Sequence, residues 1–258
     1  MKMKENIKNF LLNIFFPKFC LSCQKEGTFL CEDCKAILDI SNSHHPPSRF
    51  SGGLNDLYWA VEYKNPLIKN LIKCFKYEPL VKELAKDLTS LIIAHFQLLD
   101  PPPNFGGGDY VLLPVPLEKR KLKWRGFNQA EELAKELSSF LPAHLASPTR
   151  NTVSTVGWQG EAGGKIPLIS DCLIKIKENL PQVELSEGER KENIKGVFII
   201  EKPEKIRGRK ILLVDDVYTT GSTMKECAQL LKKAGAKEVI GIVIARAAPG
   251  QDQFKNIQ

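Results

Sequence analysis

Between Ile211 and Ile244 the chain runs from an apolar strand into a hydroxyl-rich loop, then an amphipathic helix closed by Gly235, then a second apolar strand. The strand signals are Ile211 to Val214 and Val239 to Ile244, and helical spacing fills about 223–234. Two strands joined through one helix lie parallel, because a parallel pair needs a crossover. Parallel strands bury both faces, so helices must cover both sides of the sheet. This βαβ unit fixes the fold class as α/β.

The rest of the chain is read around that unit. Its 258 residues suffice for one α/β domain and a small appendage. With 43% hydrophobic and 26% charged residues, the composition excludes wholesale disorder. No apolar run approaches the roughly 18 residues of a membrane span. The net charge of +7 suits an anionic ligand but is too mild to establish nucleic-acid binding. Leu67, Ile68, Leu71, Ile72 and Phe75 make one helical face, and Val81, Leu84, Leu88, Leu91 and Ile92 another. Tyr110 to Leu113 reads as a strand, followed by a loop that reaches Phe127. Asn128 and Glu131 have capping-box spacing at the start of a helix carrying Ala130, Leu133, Ala134 and Leu137 on one face. Further strands are expected near 172–176 and 196–200.

The loop after Val214 carries the chemistry. Asp215 and Asp216 stand at the carboxyl end of a buried parallel strand, the edge where open α/β sheets bind ligands. Thr219, Thr220, Gly221, Ser222 and Thr223 follow, and Thr223 with Glu226 has capping-box spacing. A helix start ringed by hydroxyls is a phosphate cradle, and Gly221 allows a positive φ or close approach of an anion. Carboxylates repel phosphate but suit sugar hydroxyls or a hard cation such as Mg²⁺. Together these features describe a binder of ribose 5-phosphate. A plain strand–turn–helix with two acidic cap residues accounts less well for four hydroxyls around a glycine.

Four of the seven cysteines fall close together, as Cys20-x-x-Cys23 and Cys31-x-x-Cys34. Two such pairs supply four thiolates, the complement of a closed tetrahedral Zn²⁺ site of structural type. A redox dithiol needs only one pair, and a short segment with paired thiols and no metal has little other core. Gly27 is placed to make the tight turn between the pairs, and His44 and His45 read as linker residues rather than spare ligands. Cys74, Cys172 and Cys227 fit apolar positions.

Lys119, Arg120, Lys121, Lys123, Trp124 and Arg125 crowd the segment after the Tyr110 strand. Cations there suit a diphosphate, gripped bidentately by Arg. A solvated charged loop ranks second. Contact with single-stranded DNA, through bases stacked on the Trp, ranks third.

The segment Val214 to Thr223 resembles the phosphoribosyl-diphosphate (PRPP) signature of type I phosphoribosyltransferases. Leu113-Pro-Val-Pro-Leu117, Arg125-Gly-Phe-Asn-Gln129, the double cysteine pair, Pro181-Gln182 with Leu185, and Arg190, Asn193 and Gly196 resemble the competence protein F (ComF-like) family. The resemblance implies a parallel sheet flanked by helices, with a small N-terminal zinc-ribbon module. It implies Asp215 and Asp216 on the ribose, Thr219 to Thr223 on the 5-phosphate, and Pro114, Val115 and Pro116 toward the diphosphate. Arg125 is expected to neutralise that diphosphate or reach a neighbouring subunit. Expected partners are Mg²⁺ with PRPP, an unidentified nucleobase or amine acceptor, single-stranded DNA or a competence helicase, and a second copy of the chain.

The expected organisation is a helix at 1–16, the zinc-ribbon module and linker at 17–56, the phosphoribosyltransferase domain at 57–250 and a tail at 251–258. Residues 142–170 form a flexible insertion in that reading, where the family has a short Arg-rich connector before Pro181-Gln182; here Lys175 and Lys177 stand. Lys2, Lys4 and Lys8 precede an apolar stretch with no small-residue cleavage site after it, so the start reads as a helix packing on the body rather than a secretory leader. A cytoplasmic location is expected.

Overall fold

The computed structural model describes residues 17–44, 53–77, 79–105, 109–141, 165–176 and 196–247. The expected helix at 1–16, the tail, Pro181, Gln182, Leu185, Arg190 and Asn193 lie outside them. In chain order the described elements are α1 (Glu32–Ala36), β1 (Asp56–Glu62), α2 (Pro66–Lys76), α3 (Leu84–Leu98), β2 (Tyr110–Pro114), α4 (Lys119–Arg125), α5 (Gln129–Phe140), β3 (Leu173–Lys175), β4 (Phe198–Ile200), β5 (Lys210–Tyr218), α6 (Ser222–Lys233) and β6 (Glu238–Arg246). No described helix is long and apolar enough to cross a membrane.

The main sheet has four strands in the order β1-β6-β5-β2, every pair parallel. Alternate residues of each strand feed two separate apolar layers. On one face Leu112, Leu212, Val214, Ile240 and Ile242 pack with Ile68, Leu71, Phe75, Leu88, Ile92, Leu133 and Leu137 of α2, α3 and α5. On the other, Val111, Leu113, Ile211, Leu213, Val239 and Val243 pack with Met224, Cys227 and Leu231 of α6, and with Leu173 and Phe198 of the small β3–β4 ribbon. Full burial of each large aliphatic side chain contributes about 1.5–3 kcal/mol.

Three local readings change. Residues 56–62 form a strand at the sheet edge, in a stretch with no expected element. The loop expected to reach Phe127 contains the short helix α4, ended by Gly126 at φ 79°. Strand β5 continues through Asp215 and Asp216 to Tyr218, where a loop was expected to have begun. Its ladder with β6 persists at Asp215–Val243, Val217–Ala245 and Tyr218–Arg246. Pairing with a long buried neighbour overrides the poor strand propensity of aspartate.

Both flanks of the sheet carry additional chain. Ile40 forms an antiparallel bridge with Val61, and Ser41 N–H donates to Ala60 O at 2.8 Å. Leu168 forms a parallel bridge with Leu112, whose N–H donates to Pro167 O at 2.8 Å. Residues 165–169 are thus tied to β2, while 142–164 lie outside the described residues. The cysteine module shares the main core: Cys20, Leu30, Cys34 and Leu38 pack in the same cluster as Ile68 and Leu71.

Candidate functional site

The carboxyl ends of β2 and β5 are neighbours, so the turn after each reaches one edge. On β5, Asp215 and Asp216 are consecutive strand residues and point to opposite faces. Asp216 turns toward α2, where Lys76 Nζ lies 2.8 Å from its Oδ1. The Asp216 side chain is only 4% exposed, and its Oδ2 is buried without a hydrogen-bond partner. Asp215 Oδ1 accepts from Asp216 N–H at 2.8 Å.

The two acids sit in different electrostatic settings. Burial pushes the Asp215 pKa up, Asp216 pushes it further, and Lys76 and Lys175 hold it back, leaving it at about 7. Burial works against the Lys76 charge, but the Asp216 carboxylate outweighs it and raises the Lys76 pKa above the usual lysine value. Lys76 therefore stays charged and ties down Asp216.

Lys76 is in reach because α2 is firmly started. Asn65 Oδ1 accepts from Leu67 N–H at 2.9 Å and Ile68 N–H at 3.4 Å, and Pro66 opens the first turn. Lys76 is the last residue of that helix, so the same cap fixes its position. No sequence pattern marks it off from Lys69 and Lys73, and the sequence reading gives it no role.

After Tyr218 the chain turns through Thr219, Thr220 and Gly221 into α6. Gly221 has φ 74°, and a Cβ there would lie 2.1 Å from Tyr218 Oη, so only glycine fits. Thr220 and Ser222 hydroxyls are 2.9 Å apart. The N-cap residue of α6 is Gly221, which has no side chain to cap it. The expected capping box between Thr223 and Glu226 does not form: the helix starts at Ser222, which puts Thr223 inside it, and Glu226 Oε1 accepts from Val197 N–H at 3.3 Å. Ser222 N–H donates to Thr220 Oγ1 at 3.4 Å, while no described side chain claims the N–H groups of Thr223 and Met224, the condition for holding an anion.

At the end of β2, Pro114, Val115 and Pro116 form the adjacent turn. Val115 N–H donates to Val214 O at 2.9 Å, and Asn128 Nδ2 donates to Val115 O at 3.0 Å. Asn128 also caps α5, accepting from Ala130 N–H at 3.1 Å, but the box expected with Glu131 does not close, since Glu131 pairs with Lys135 at 3.0 Å. Arg125 is 7% exposed, donates through Nη1 to Gln129 Oε1, and stacks its guanidinium over Tyr77 at 5.7 Å. Its guanidinium is near enough for the Asp216 carboxylate to act on its charge. Lys119, Arg120, Lys121, Lys123 and Trp124 are exposed. The structure therefore brings 114–116, Asp215, Asp216 and 219–223 to one edge, and adds Lys76 and Lys175 to them.

The second cluster is the cysteine centre. The sulfurs of Cys20, Cys23, Cys31 and Cys34 all lie within 4.8 Å of one another. Gly27 makes the turn between the pairs at φ 109°, and Phe19 bridges Glu26 across it. Cys31 N-caps α1 and its Sγ accepts from Cys34 N–H at 3.5 Å. Burial pushes the Cys20 thiol up, but backbone N–H groups of Cys31, Cys23 and Ser22 outweigh it and bring the pKa to about 6. Four convergent thiols fit a tetrahedral metal ion such as zinc, whose roughly 2.3 Å bonds to sulfur need this spacing. His44 is engaged elsewhere, 2.8 Å from Asp56. Cys172 and Cys227 are buried, and Cys74 is partly so.

Comparison with known proteins agrees with this arrangement. Residues 125–256 match the model of the phosphoribosyl transferase domain. The chain belongs to that family. It is 35% identical over 223 residues to the DNA utilization protein YhgH of Escherichia coli K12, covering 85% of each chain. It is 31% identical over 137 residues to competence protein F of Haemophilus influenzae, spanning half of that protein's length. Competence protein ComFC of Bacillus subtilis matches at 27% over 192 residues, covering 73% of this chain and 63% of that one. With the cysteine cluster, these similarities bear out the ComF-like resemblance.

Proposed function

We propose that the protein binds Mg-PRPP at the carboxyl edge of β5 and β2, and transfers its phosphoribosyl group to a nucleobase or amine. The observation carrying this reading is the join between a held acid pair and a hydroxyl-ringed helix start that opens on a positive-φ glycine. The 5-phosphate takes N–H groups and hydroxyls from 219–223. Ribose hydroxyls donate to the carboxylates of Asp215 and Asp216. The diphosphate lies toward Pro114 to Leu117. Magnesium supplies charge neutralisation for the departing diphosphate, and the carboxylate oxygens of the acid pair are hard donors of the kind it takes.

In the transfer, an acceptor nitrogen attacks C1 of the ribose. The bond from C1 to the diphosphate oxygen breaks, its electron pair leaves with the diphosphate, and the acceptor's proton passes to water. The chain's part is positioning and charge, with Lys76 and Arg125 keeping Asp216 in place. The cysteine centre holds a structural zinc ion in this reading, and reduced thiols fit the cytoplasm.

Calorimetry of Mg-PRPP against the unaltered chain and the D215N/D216N variant tests the site. Binding to the unaltered chain, weakened about a hundredfold or more in the variant, is expected. Equal affinity in the two overturns the assignment. A second reading, a non-catalytic PRPP sensor acting on single-stranded DNA or a helicase-type partner, draws on α4. Its Trp124 is 53% exposed among solvated lysines, and relatives are named for competence and DNA utilization. Salt-sensitive single-strand binding without diphosphate release in the presence of any nucleobase favours that reading.

A further inference from the structure

Tyr218 is the last residue of β5 and stands between the acid pair and the turn at 219–221. Its carbonyl oxygen accepts from Ala247 N–H at 2.8 Å, which ties it to the end of β6. Leu212 and Val214 share its strand parity and belong to the layer against α2 and α5. Tyr218 belongs instead to the α6 layer, together with Met224 and Cys227. Its ring therefore swings across the end of the strand toward the start of α6.

There the ring ends against Gly221. The place a Cβ of residue 221 would take lies 2.1 Å from Tyr218 Oη, 2.2 Å from Cζ and 2.7 Å from Cε2. These three atoms fill the space of a missing side chain. Gly221 is also the N-cap of α6, at φ 74°, so the ring rests on the residue that aims the first N–H groups of the helix. Tyr218 is buried. Burial raises the pKa of its phenol, although Arg246, its partner across the ladder, holds it back, so the ring brings no negative charge to the turn.

What this contact supplies is position. A backbone segment above a void loses its contacts on that side outright and can settle into the gap. An anion at a helix start is gripped by several N–H groups at once, and a displacement of about 1 Å costs on the order of a hundredfold. The turn at Pro114 to Pro116 is held differently, by Val214 O and by Asn128, with no part taken by Tyr218 in those bonds. The two turns therefore respond separately to a change at Tyr218.

We infer that Tyr218 is a positioning residue: its ring is the peg on which the phosphate-facing turn is seated, and residue 221 is glycine because that peg takes the place of a side chain. The inference deepens the proposed function and rests on it for the phosphate.

Tyr218→Leu removes Oη, Cζ and Cε2 but keeps an apolar side chain in the α6 layer, and Tyr218→Phe removes Oη alone. Calorimetry of the full chain with ribose 5-phosphate and, separately, with Mg-diphosphate reads the two turns. Ribose 5-phosphate affinity is expected to fall about tenfold or more in Y218L and to stay within about threefold in Y218F, with Mg-diphosphate affinity within about twofold in both. A second readout needs no ligand. Gly221→Ala should lower the melting temperature by about 6 °C or more in the unaltered background, where the added methyl meets the ring, and by about 2–4 °C in the Y218L background, where only the positive φ opposes it. Tyr218→Met serves both readouts should Y218L fail to fold.

Four outcomes overturn the positioning role and leave the proposed function standing: equal ribose 5-phosphate affinity in Y218L, loss of Mg-diphosphate affinity in step with it, a loss in Y218F as large as in Y218L, or the same penalty for G221A in both backgrounds. An unaltered chain that binds no ribose 5-phosphate overturns the phosphate reading of the turn, and the G221A comparison alone then decides whether the ring seats it.

Discussion

The four cysteines and the two aspartates are both clusters of anionic groups, yet the chain holds them in opposite ways. The cysteines come from fifteen consecutive residues, and one tight turn with one short helix brings their sulfurs together. The acid edge draws on Lys76, Arg125, Lys175 and 215–223, so it exists only when the sheet and both helical layers are assembled. In the first region like charges converge on one point for a cation to neutralise. In the second, Asp216 already has an internal cation in Lys76, and Asp215 is held near neutrality. The local cluster is built within one short segment. The distributed one needs the assembled fold.

The widest separation of the two comes from removing the metal or one thiol. Structural zinc contributes on the order of 10 kcal/mol or more to a small site. Cys34→Ser, or prolonged chelation, is expected to lower the melting temperature of the whole chain by about 10 °C or more, since the module's core continues into that of α2. Elemental analysis should find about one zinc per chain. A metal-free chain of unchanged melting temperature would erase the contrast.

Lys76→Met comes next. It strands Asp216 as a buried charge, at a cost of about 3–5 kcal/mol. Adding D216N should recover most of the stability without recovering PRPP binding, as denaturant titration and calorimetry would read. Equal destabilisation in single and double variants would mean that the ion pair is not what holds the acid.

The smallest effect is a pH dependence. The folded pKa of Asp215, about 7, lies above its unfolded value near 3.8. Its neutral form is therefore favoured in the folded chain. The stability it contributes is complete below about pH 3.8 and is lost as pH rises through about 7. Asp215→Asn should raise the melting temperature at pH 8 by about 2–4 °C, as for about 1 kcal/mol in a domain of this size, with the gain vanishing toward pH 4. A gain independent of pH would assign it to packing instead.

What the sequence reveals divides along the same line. The cysteine spacing, the βαβ unit, the Asn128 cap and the α2 and α3 faces are visible because each is a pattern within one segment. Strand β1 is hidden because Leu57 to Val61 is an unbroken apolar run beside a polar stretch, without alternation. Helix α4 is hidden because its residues are charged on all sides, so no period shows. Lys76 looks like any other lysine on the polar side of α2, and only the fold brings it to Asp216. The Thr223–Glu226 cap fails in part for the same reason, since Glu226 meets Val197, which is remote in sequence.

The additional chain along both margins of the sheet has a consequence for association. An open parallel sheet normally presents unpaired peptide groups at its outermost strands, and these recruit stray strands from other molecules. Here Ile40 and Ser41 occupy the outer side of β1, and Pro167 to Ile169 that of β2. Where they pair, another copy cannot extend the sheet by β-augmentation. Self-assembly at those positions is left to side-chain surfaces, and the backbone there is shielded from the route by which exposed strands seed aggregates.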